Sequence, residues 1–203
     1  AAVSAFWRNK KINLIDTPGY PDFIGQTVGA LQGVETAIIV IAADAGMSGN
    51  TRKGCDQAAK AGLGRMIVLT KLDHENIDFE QLVENIQESF GQQCLPLNVP
   101  TGLADNFKGV VSTLAPAGGA TTVVDPSLYS QKVLDAVVEA DEALMERYFE
   151  GEQLTSDQIA GGITRAIANG TLIPMFCVSC KTGIGVAELM DALARYSLPP
   201  SAI

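Results

Sequence analysis

The sequence predicts an α/β fold built on a doubly wound, mainly parallel sheet. Short apolar segments alternate with segments whose apolar residues recur at helical spacing, which is the pattern of strand–helix–strand units. Residues 35–43 form an unbroken apolar strand, the kind that is buried on both faces of a parallel sheet. Polar motifs follow three apolar segments, and such sheets bind ligands at the carboxyl ends of their strands. We therefore expect one common ligand site at that edge.

The elements are expected in the order β-α-β-α-β, an interruption, and then α-α-β-α. Expected strands cover residues 12–15, 35–43, 66–69 and 173–178, and expected helices start near residue 23 and cover 50–62, 78–90, 126–149, 155–169 and 186–196. Asn50 and Thr155 have side chains of the kind that caps a helix N-terminus. Asn-Gly at 169–170 is expected to end a helix, and Pro-Pro at 199–200 is expected to end the domain.

Residues 91–122 interrupt this alternation. Pro, Gly, Thr and small residues dominate there, with a strand-like piece at 109–112 and an Ala-Pro-Gly tract at 115–120 that is typical of a flexible connection. This stretch is either a small subdomain or a solvated connection without a binding role. The acidic residues of the next helix are expected to form a solvated face, with a partner-binding surface as the alternative: Glu139, Asp141, Glu142 and Glu146.

The first polar motif, Asp16, Thr17, Pro18 and Gly19, follows the short strand of residues 12–15. A carboxylate at a strand end is suited to a metal-bound water, and a glycine lets a backbone N–H approach a terminal phosphate closely. The same four residues also make an ordinary Pro-Gly turn. The motif indicates phosphate chemistry only in combination with other motifs.

The second motif, Thr70, Lys71, Leu72 and Asp73, ends the apolar strand of residues 66–69. An aspartate in this pattern accepts hydrogen bonds from the N1–H and the exocyclic amine of guanine, while the lysine stem lies along the ring face. Adenine lacks that paired donor edge, so the aspartate would select the base. The threonine stands where asparagine is more usual, and its hydroxyl can join this loop to its neighbours.

The third motif is Ser179, Cys180 and Lys181, after the strand of residues 173–178. In this pattern backbone N–H groups face the carbonyl of guanine. Cys177 and Cys180 also form a C-x-x-C pair, which indicates half a zinc site or a redox pair as an alternative. No second pair at zinc-site spacing accompanies it, so the guanine interpretation is favoured.

With these motifs the chain resembles a translational GTPase, most closely of the elongation factor G type. The resemblance covers nearly the whole chain and implies a P-loop-GTPase-type sheet within a GTP-binding domain of residues 1–203, with an inserted subdomain at about 91–150. It implies GTP or GDP bound by the residues of all three motifs, with Mg²⁺ held through water by Asp16. It also implies a ribosomal partner and a cytoplasmic location.

Tyr20 stands where elongation factor G has a histidine that helps to place the hydrolytic water. A phenol donates a hydrogen bond but does not act as an imidazole near neutral pH. Positioning and electrostatics supply most of the catalysis in phosphoryl transfer, so slower hydrolysis is expected. In this respect the chain is similar to the elongation-factor-G-like paralogues that carry tyrosine here.

The sequence contains no G-x-x-x-x-G-K-[ST] motif, and the switch I threonine of the family is also missing. The chain is therefore expected to be an N-terminally truncated piece of the GTP-binding domain. Such a piece retains the residues that recognise the guanine base but lacks the loop that binds the phosphates. We expect the chain by itself to bind GTP weakly or not at all, with no nucleotide or Mg²⁺ retained.

Composition limits the partners and the cellular location that are expected for the chain. Lys and Arg number 14 and Asp and Glu 23, giving a net charge of −9, which argues against a direct nucleic-acid contact by this chain. No apolar run approaches a bilayer span, so no membrane is expected as a partner. Four cysteines without a disulfide-like array suit a reducing cytoplasm. Two functions remain: a GTP-hydrolysing translation factor, or a guanine-nucleotide-binding, ribosome-binding module that hydrolyses poorly.

Overall fold

The computed structural model describes residues 1–116 and 121–200 of the chain. Its strands are β1 (Ala2–Trp7), β2 (Lys10–Ile15), β3 (Thr36–Ala42), β4 (Gly64–Thr70), β5 (Cys94–Pro96), β6 (Asn98–Pro100), β7 (Val110–Ser112) and β8 (Ile173–Cys177). Its helices are α1 (Ile24–Leu31), α2 (Gly49–Lys60), α3 (Phe79–Phe90), α4 (Ser127–Glu139), α5 (Glu142–Phe149), α6 (Ser156–Asn169) and α7 (Val186–Tyr196). Among the described residues, no helix is both long and apolar enough to cross a membrane.

The central sheet has four strands in the order β3-β4-β8-β5, and all three pairings are parallel. Alternate side chains of β4 point to opposite faces of the sheet. Ile67 and Leu69 pack with residues of α2 and α3, whereas Met66 packs with residues of α4, α5, α6 and α7. Helices therefore cover both faces, and the predicted α/β fold with a doubly wound, mainly parallel sheet is confirmed.

Strand β3 differs from its expected environment. It pairs along its length with β4 on one side only, from the Thr36–Gly64 pair to the Ala42–Thr70 pair. Its Val40 side chain is 58% exposed. The prediction of a strand buried on both faces is therefore wrong: Ile39 and Ile41 are buried, whereas Val40 on the opposite face is exposed. β3 is also an edge strand of the described sheet, and an apolar run alone does not distinguish an edge from the centre.

A β-hairpin precedes the sheet, although the sequence indicated only its second strand. Strands β1 and β2 pair antiparallel through a turn at Arg8 and Asn9, both of which have positive φ angles. The hairpin is tied to α7 by Asp191, which accepts from Trp7 Nε1 at 2.5 Å and from Arg8 Nε at 2.5 Å. The hydrogen bond from Arg8 and that from Trp7 lower the pKa of Asp191, so this carboxylate stays charged at neutral pH.

A groove separates the hairpin from the sheet. Among the described residues β2 pairs only with β1 and β3 only with β4, so each has an edge without a strand partner. Two adjoining cavities of about 570 and 720 Å³ lie between these edges. Both are lined by Leu14 and Ile15 on the hairpin side and by Thr36 and Ile38 on the sheet side. The groove runs along the strands and ends at the Asp16 motif.

The helix expected over residues 126–149 is two helices, α4 and α5. The second is capped by Asp141, whose carboxylate accepts from the backbone N–H groups of Ala143 at 3.0 Å and Leu144 at 3.2 Å. The same carboxylate forms an ion pair with Arg165 of α6. Asp141 therefore caps and anchors α5 instead of belonging to a solvated face, whereas its three expected companions are exposed: Glu139, Glu142 and Glu146.

Residues 91–116 pack against the main core. The short strands β6 and β7 pair antiparallel, and Val99 and Phe107 are buried in the cluster that includes α3. Asn98 Oδ1 accepts from the backbone N–H of Cys177 at 2.8 Å, which attaches β6 to the end of β8. This part of the chain is thus more than a solvated connection, and a separate inserted subdomain at 91–150 stays a prediction. Residues 117–120 of the expected flexible tract lie outside the described residues.

Candidate functional site

Pairing of β4 with β8 places the second and third motifs side by side. The register continues past the strand ends, because the N–H of Val178 donates to the carbonyl of Leu69 at 2.8 Å. Beyond it, Thr70 Oγ1 lies 3.7 Å from Cys180 Sγ. The threonine hydroxyl thus joins the two loops, as the sequence suggested. These loops form one continuous surface at the carboxyl edge of the sheet.

The loop after β4 is anchored by Leu72. This side chain is fully buried in the core, and its carbonyl accepts from the N–H of Ala104 at 2.9 Å. Lys71 before it has a φ of 62°, in the left-handed region, and the N–H of His74 donates to its carbonyl at 3.0 Å. The tight turn lets the lysine side chain remain exposed while its neighbour is buried. We therefore regard Leu72 as the anchor of the loop and Lys71 as available to a ligand.

Asp73 presents a carboxylate oxygen that the protein does not satisfy. Its Oδ2 atom is shielded from solvent and has no hydrogen-bond partner in the part of the chain that the structure describes. The hydroxyl of Ser179 lowers the pKa of Asp73, outweighing the opposing effect of burial, so the group is a carboxylate at neutral pH. An ionised, covered oxygen without a donor is costly, and a ligand N–H would remove that cost.

The loop after β8 is held closed around Ser179. This residue is fully buried, its Oγ accepts from the N–H of Thr182 at 3.2 Å, and its N–H donates to the carbonyl of Ile184 at 2.9 Å. Cys180 and Lys181 at the outside of the turn are exposed. The serine therefore orders this loop, while the next two residues lie at the surface.

The first motif follows β2 and borders the groove. Asp16, Pro18 and Gly19 are exposed and Thr17 is partly buried, and all four line the larger cavity. Tyr20 is 75% exposed, so its phenol is not fixed by packing.

Asn50 connects this motif to helix α2. Its Nδ2 donates to the carbonyl of Gly19 at 2.8 Å. Asn50 was expected to cap α2, and that prediction is wrong: Ser48 is the cap, with its hydroxyl accepting from the N–H of Thr51 at 3.2 Å. Because the cap lies two residues earlier, the Asn50 amide is free to bond the first motif.

The C-x-x-C pair does not have the character of a redox or zinc site. Cys177 is completely buried at the end of β8, and this burial raises the pKa of its thiol, which is the opposite of the lowered pKa that reactive cysteines need. Its Sγ lies 3.6 Å from the carbonyl of Asn98, as a donor. Within residues 1–116 and 121–200, no group of three or more His, Cys, Asp or Glu side chains is arranged to hold a metal ion.

Comparison with known proteins finds a matching family model and similar solved structures. The family model described as the elongation factor Tu GTP binding domain matches residues 1–199. Among solved structures, a crystal structure of a protein from Thermus thermophilus is similar, with a TM-score of 0.86 and 29% sequence identity. That match covers 99% of this chain and 32% of the Thermus chain, so this chain spans about a third of the length of that relative.

The closure of the third-motif loop predicts unequal effects for two of its glycines. Gly183 and Gly185 both have a φ of +78°, but a Cβ on Gly185 would lie 2.1 Å from the carbonyl oxygen of Cys177, whereas a Cβ on Gly183 would meet nothing within 4 Å. Gly183→Ala should cost about 1–2 kcal/mol of unfolding free energy from its backbone angle alone. Gly185→Ala should cost about 3 kcal/mol or more, measured by urea denaturation. Equal losses in the two variants would contradict this description of the loop.

Proposed function

Because the chain belongs to the family of elongation factor Tu GTP-binding domains, we propose that it forms the guanine-reading part of a translational GTPase that acts on the ribosome in the cytoplasm. The observation that carries this proposal is the ionised Asp73 carboxylate, with one covered oxygen lacking a donor, beside the Ser179 loop. A guanine base supplies donors of the required kind. Translocation on the ribosome is the step that the sequence resemblance to elongation factor G favours.

The arrangement favours guanine over adenine on hydrogen-bonding grounds. The Asp73 carboxylate accepts only, so it pairs with the N1–H and exocyclic amine of guanine, whereas adenine presents an unprotonated N1 at the same edge. Lys71 offers an apolar stem to the face of the ring. Cys180 and Lys181 are exposed, and their backbone N–H groups are proposed to donate to the guanine carbonyl. Each of the two loops thereby contributes to recognition of the same base.

The first motif fits the phosphate end of the nucleotide. The backbone at Gly19 is open, since a Cβ there would meet nothing within 4 Å, so a phosphate can approach it closely. Asp16 offers a single exposed carboxylate. This fits Mg²⁺, which keeps several waters and binds through one or two carboxylates and the substrate phosphates. In this role Asp16 would hold the ion through a water, and the bound ion would neutralise phosphate charge.

The phosphate grip is proposed to come from outside residues 1–203. The chain lacks a G-x-x-x-x-G-K-[ST] motif, and β2 and β3 present facing edges across the groove that ends at Asp16. A strand inserted there would pair with both edges and deliver a phosphate-binding loop beside Gly19. On this proposal residues 1–203 alone bind GTP or GDP weakly, and the longer protein binds it tightly with Mg²⁺.

Tyr20 bears on both candidate activities. Its exposed phenol lies directly after Gly19 and is free to donate a hydrogen bond to the attacking water. It does not supply the imidazole that the family uses, so we propose slow hydrolysis by a translation factor. The second candidate, a ribosome-binding module with negligible hydrolysis, is favoured by the same exposure of Tyr20.

Replacing Asp73 tests base recognition. In the full-length protein, Asp73→Asn should weaken GDP binding about 100-fold or more, because the amide cannot accept from both guanine donors. The variant should gain affinity for xanthosine diphosphate, whose carbonyl at position 2 matches the new amide donor. Displacement of a fluorescent GDP measures both. Asp135→Asn, on the exposed face of α4, is the matched control and should bind as the wild type. Unchanged GDP affinity in Asp73→Asn would contradict the proposal.

Replacing Tyr20 tests the hydrolytic role. Tyr20→His should raise GTP turnover of the full-length protein with ribosomes by about 10-fold or more, because imidazole orients and accepts a proton from water. Tyr20→Phe, which removes only the hydroxyl, should turn over more slowly than the wild type. Phosphate release measured with and without ribosomes provides the rates. Identical rates in all three proteins would show that this position does not limit the chemistry, and tight binding with no turnover would favour the second candidate.

A further inference from the structure

Asp44 lies between the side chains of Lys71 and His74 in the loop after β4, although no motif includes it. Its Oδ2 atom is 3.2 Å from Lys71 Nζ and 2.9 Å from His74 Nδ1. The three side chains are partly exposed, with 27% of Asp44, 47% of Lys71 and 44% of His74 accessible. His74 is also the sole histidine of the sequence. This cluster lies at the carboxyl edge of the sheet, where the second and third motifs also lie.

The backbone places Asp44 in this position before any ligand binds. Ala42 pairs with Thr70 at the ends of β3 and β4, and the N–H of Ala43 donates to the carbonyl of Thr70 at 2.9 Å. The chain then turns tightly, with the N–H of Gly46 donating to the carbonyl of Ala42 at 2.8 Å and a Gly46 φ of 67°. Asp44 therefore lies on a hydrogen-bonded turn that follows the end of β3, beside the start of the loop after β4.

The charge balance of the cluster keeps Asp44 ionised. Partial burial acts to raise its pKa, but the hydrogen bonds and charges of Lys71 and His74 outweigh that effect, so the pKa lies below its ordinary value. A free lysine samples many rotamers, and an ion pair at its end restricts them. The ion pair thus restricts the stem between the ammonium and the Lys71 backbone, two residues before Asp73.

We infer that Asp44 is a positioning residue for recognition of the guanine ring. It fixes the Lys71 ammonium, and through it the stem that lies along the base, while His74 holds the carboxylate from the other side. The inference rests on the proposed function, because a base must occupy the surface beside Asp73. Asp44 itself need not touch the nucleotide.

The opposite possibility is that Asp44 holds Lys71 away from the base. Its removal would then release the lysine and tighten nucleotide binding. If Asp44 positions Lys71 for the base, its removal weakens nucleotide binding. If Asp44 holds Lys71 away from the base, its removal tightens nucleotide binding. A role in folding alone predicts a lower melting temperature with no specific effect on GDP.

The test measures displacement of fluorescent GDP from the full-length protein. Asp44→Ala should weaken GDP binding about 5-fold, a magnitude typical of a partly exposed ion pair, with an unchanged melting temperature. Asp44→Glu, which keeps the charge, should recover part of the affinity. Asp135→Ala, an exposed aspartate of α4, should leave binding unchanged. Tighter binding or wild-type binding by Asp44→Ala would overturn the inference.

A double-mutant cycle shows whether Asp44 acts through Lys71. If it does, Asp44→Ala combined with Lys71→Ala should bind GDP no more weakly than Lys71→Ala alone. Full additivity of the two losses would overturn the inference. Failure of the wild-type protein to bind GDP would instead refute the proposed function, so the two failures are distinguishable.

Discussion

The parallel pairing of β4 with β8 is the constraint on which the site depends. Ile67 lies opposite Met175 and Leu69 opposite Cys177, and all four side chains are fully or almost fully buried. Burying side chains of this size contributes about 1.5–3 kcal/mol each, so a slip in register is strongly opposed. Both strands run in one direction, and the loops at their carboxyl ends consequently meet. The strand pairing alone brings the two loops together, and it does not require a contact between the side chains of the two motifs.

The same loops contain features that a purely stabilising design would avoid. Lys71 has a left-handed backbone, Asp73 has a covered oxygen without a donor, and Asp44 contacts both Lys71 and His74 at a partly exposed position. Violations of local rules that cluster at one place in an otherwise consistent fold are typical of a ligand site. The buried Ser179 and Leu72 compensate by anchoring both loops to the core. The scaffold thus supplies the stability that the ligand-facing residues lack.

Local signals in the sequence predicted much of this structure. Thr155 caps α6 as predicted, in a reciprocal capping box with Gln158, and α3 lies within the helix predicted over residues 78–90, because both features depend on residues close in sequence. Strand β1 was not predicted, since its turn at Arg8 and Asn9 lacks the glycine that usually signals a hairpin. The break at Asp141 was likewise hidden by an apolar pattern that continues through it. The three motif positions were predicted from the sequence, whereas their roles in nucleotide chemistry stay predictions.

Contacts between distant residues were beyond the sequence. Asp44 meets Lys71 only because β3 and β4 pair in one register, and Asn50 reaches Gly19 only because the N-terminus of α2 borders the first motif. Nothing in the spacing of these residues signals either contact.

Hydrogen–deuterium exchange of the full-length protein with and without GDP would test the account most directly. GDP, but not ADP, should protect the amides of residues 70–73 and 179–181. Equal protection by ADP, or protection confined to other segments, would contradict a guanine site at this edge.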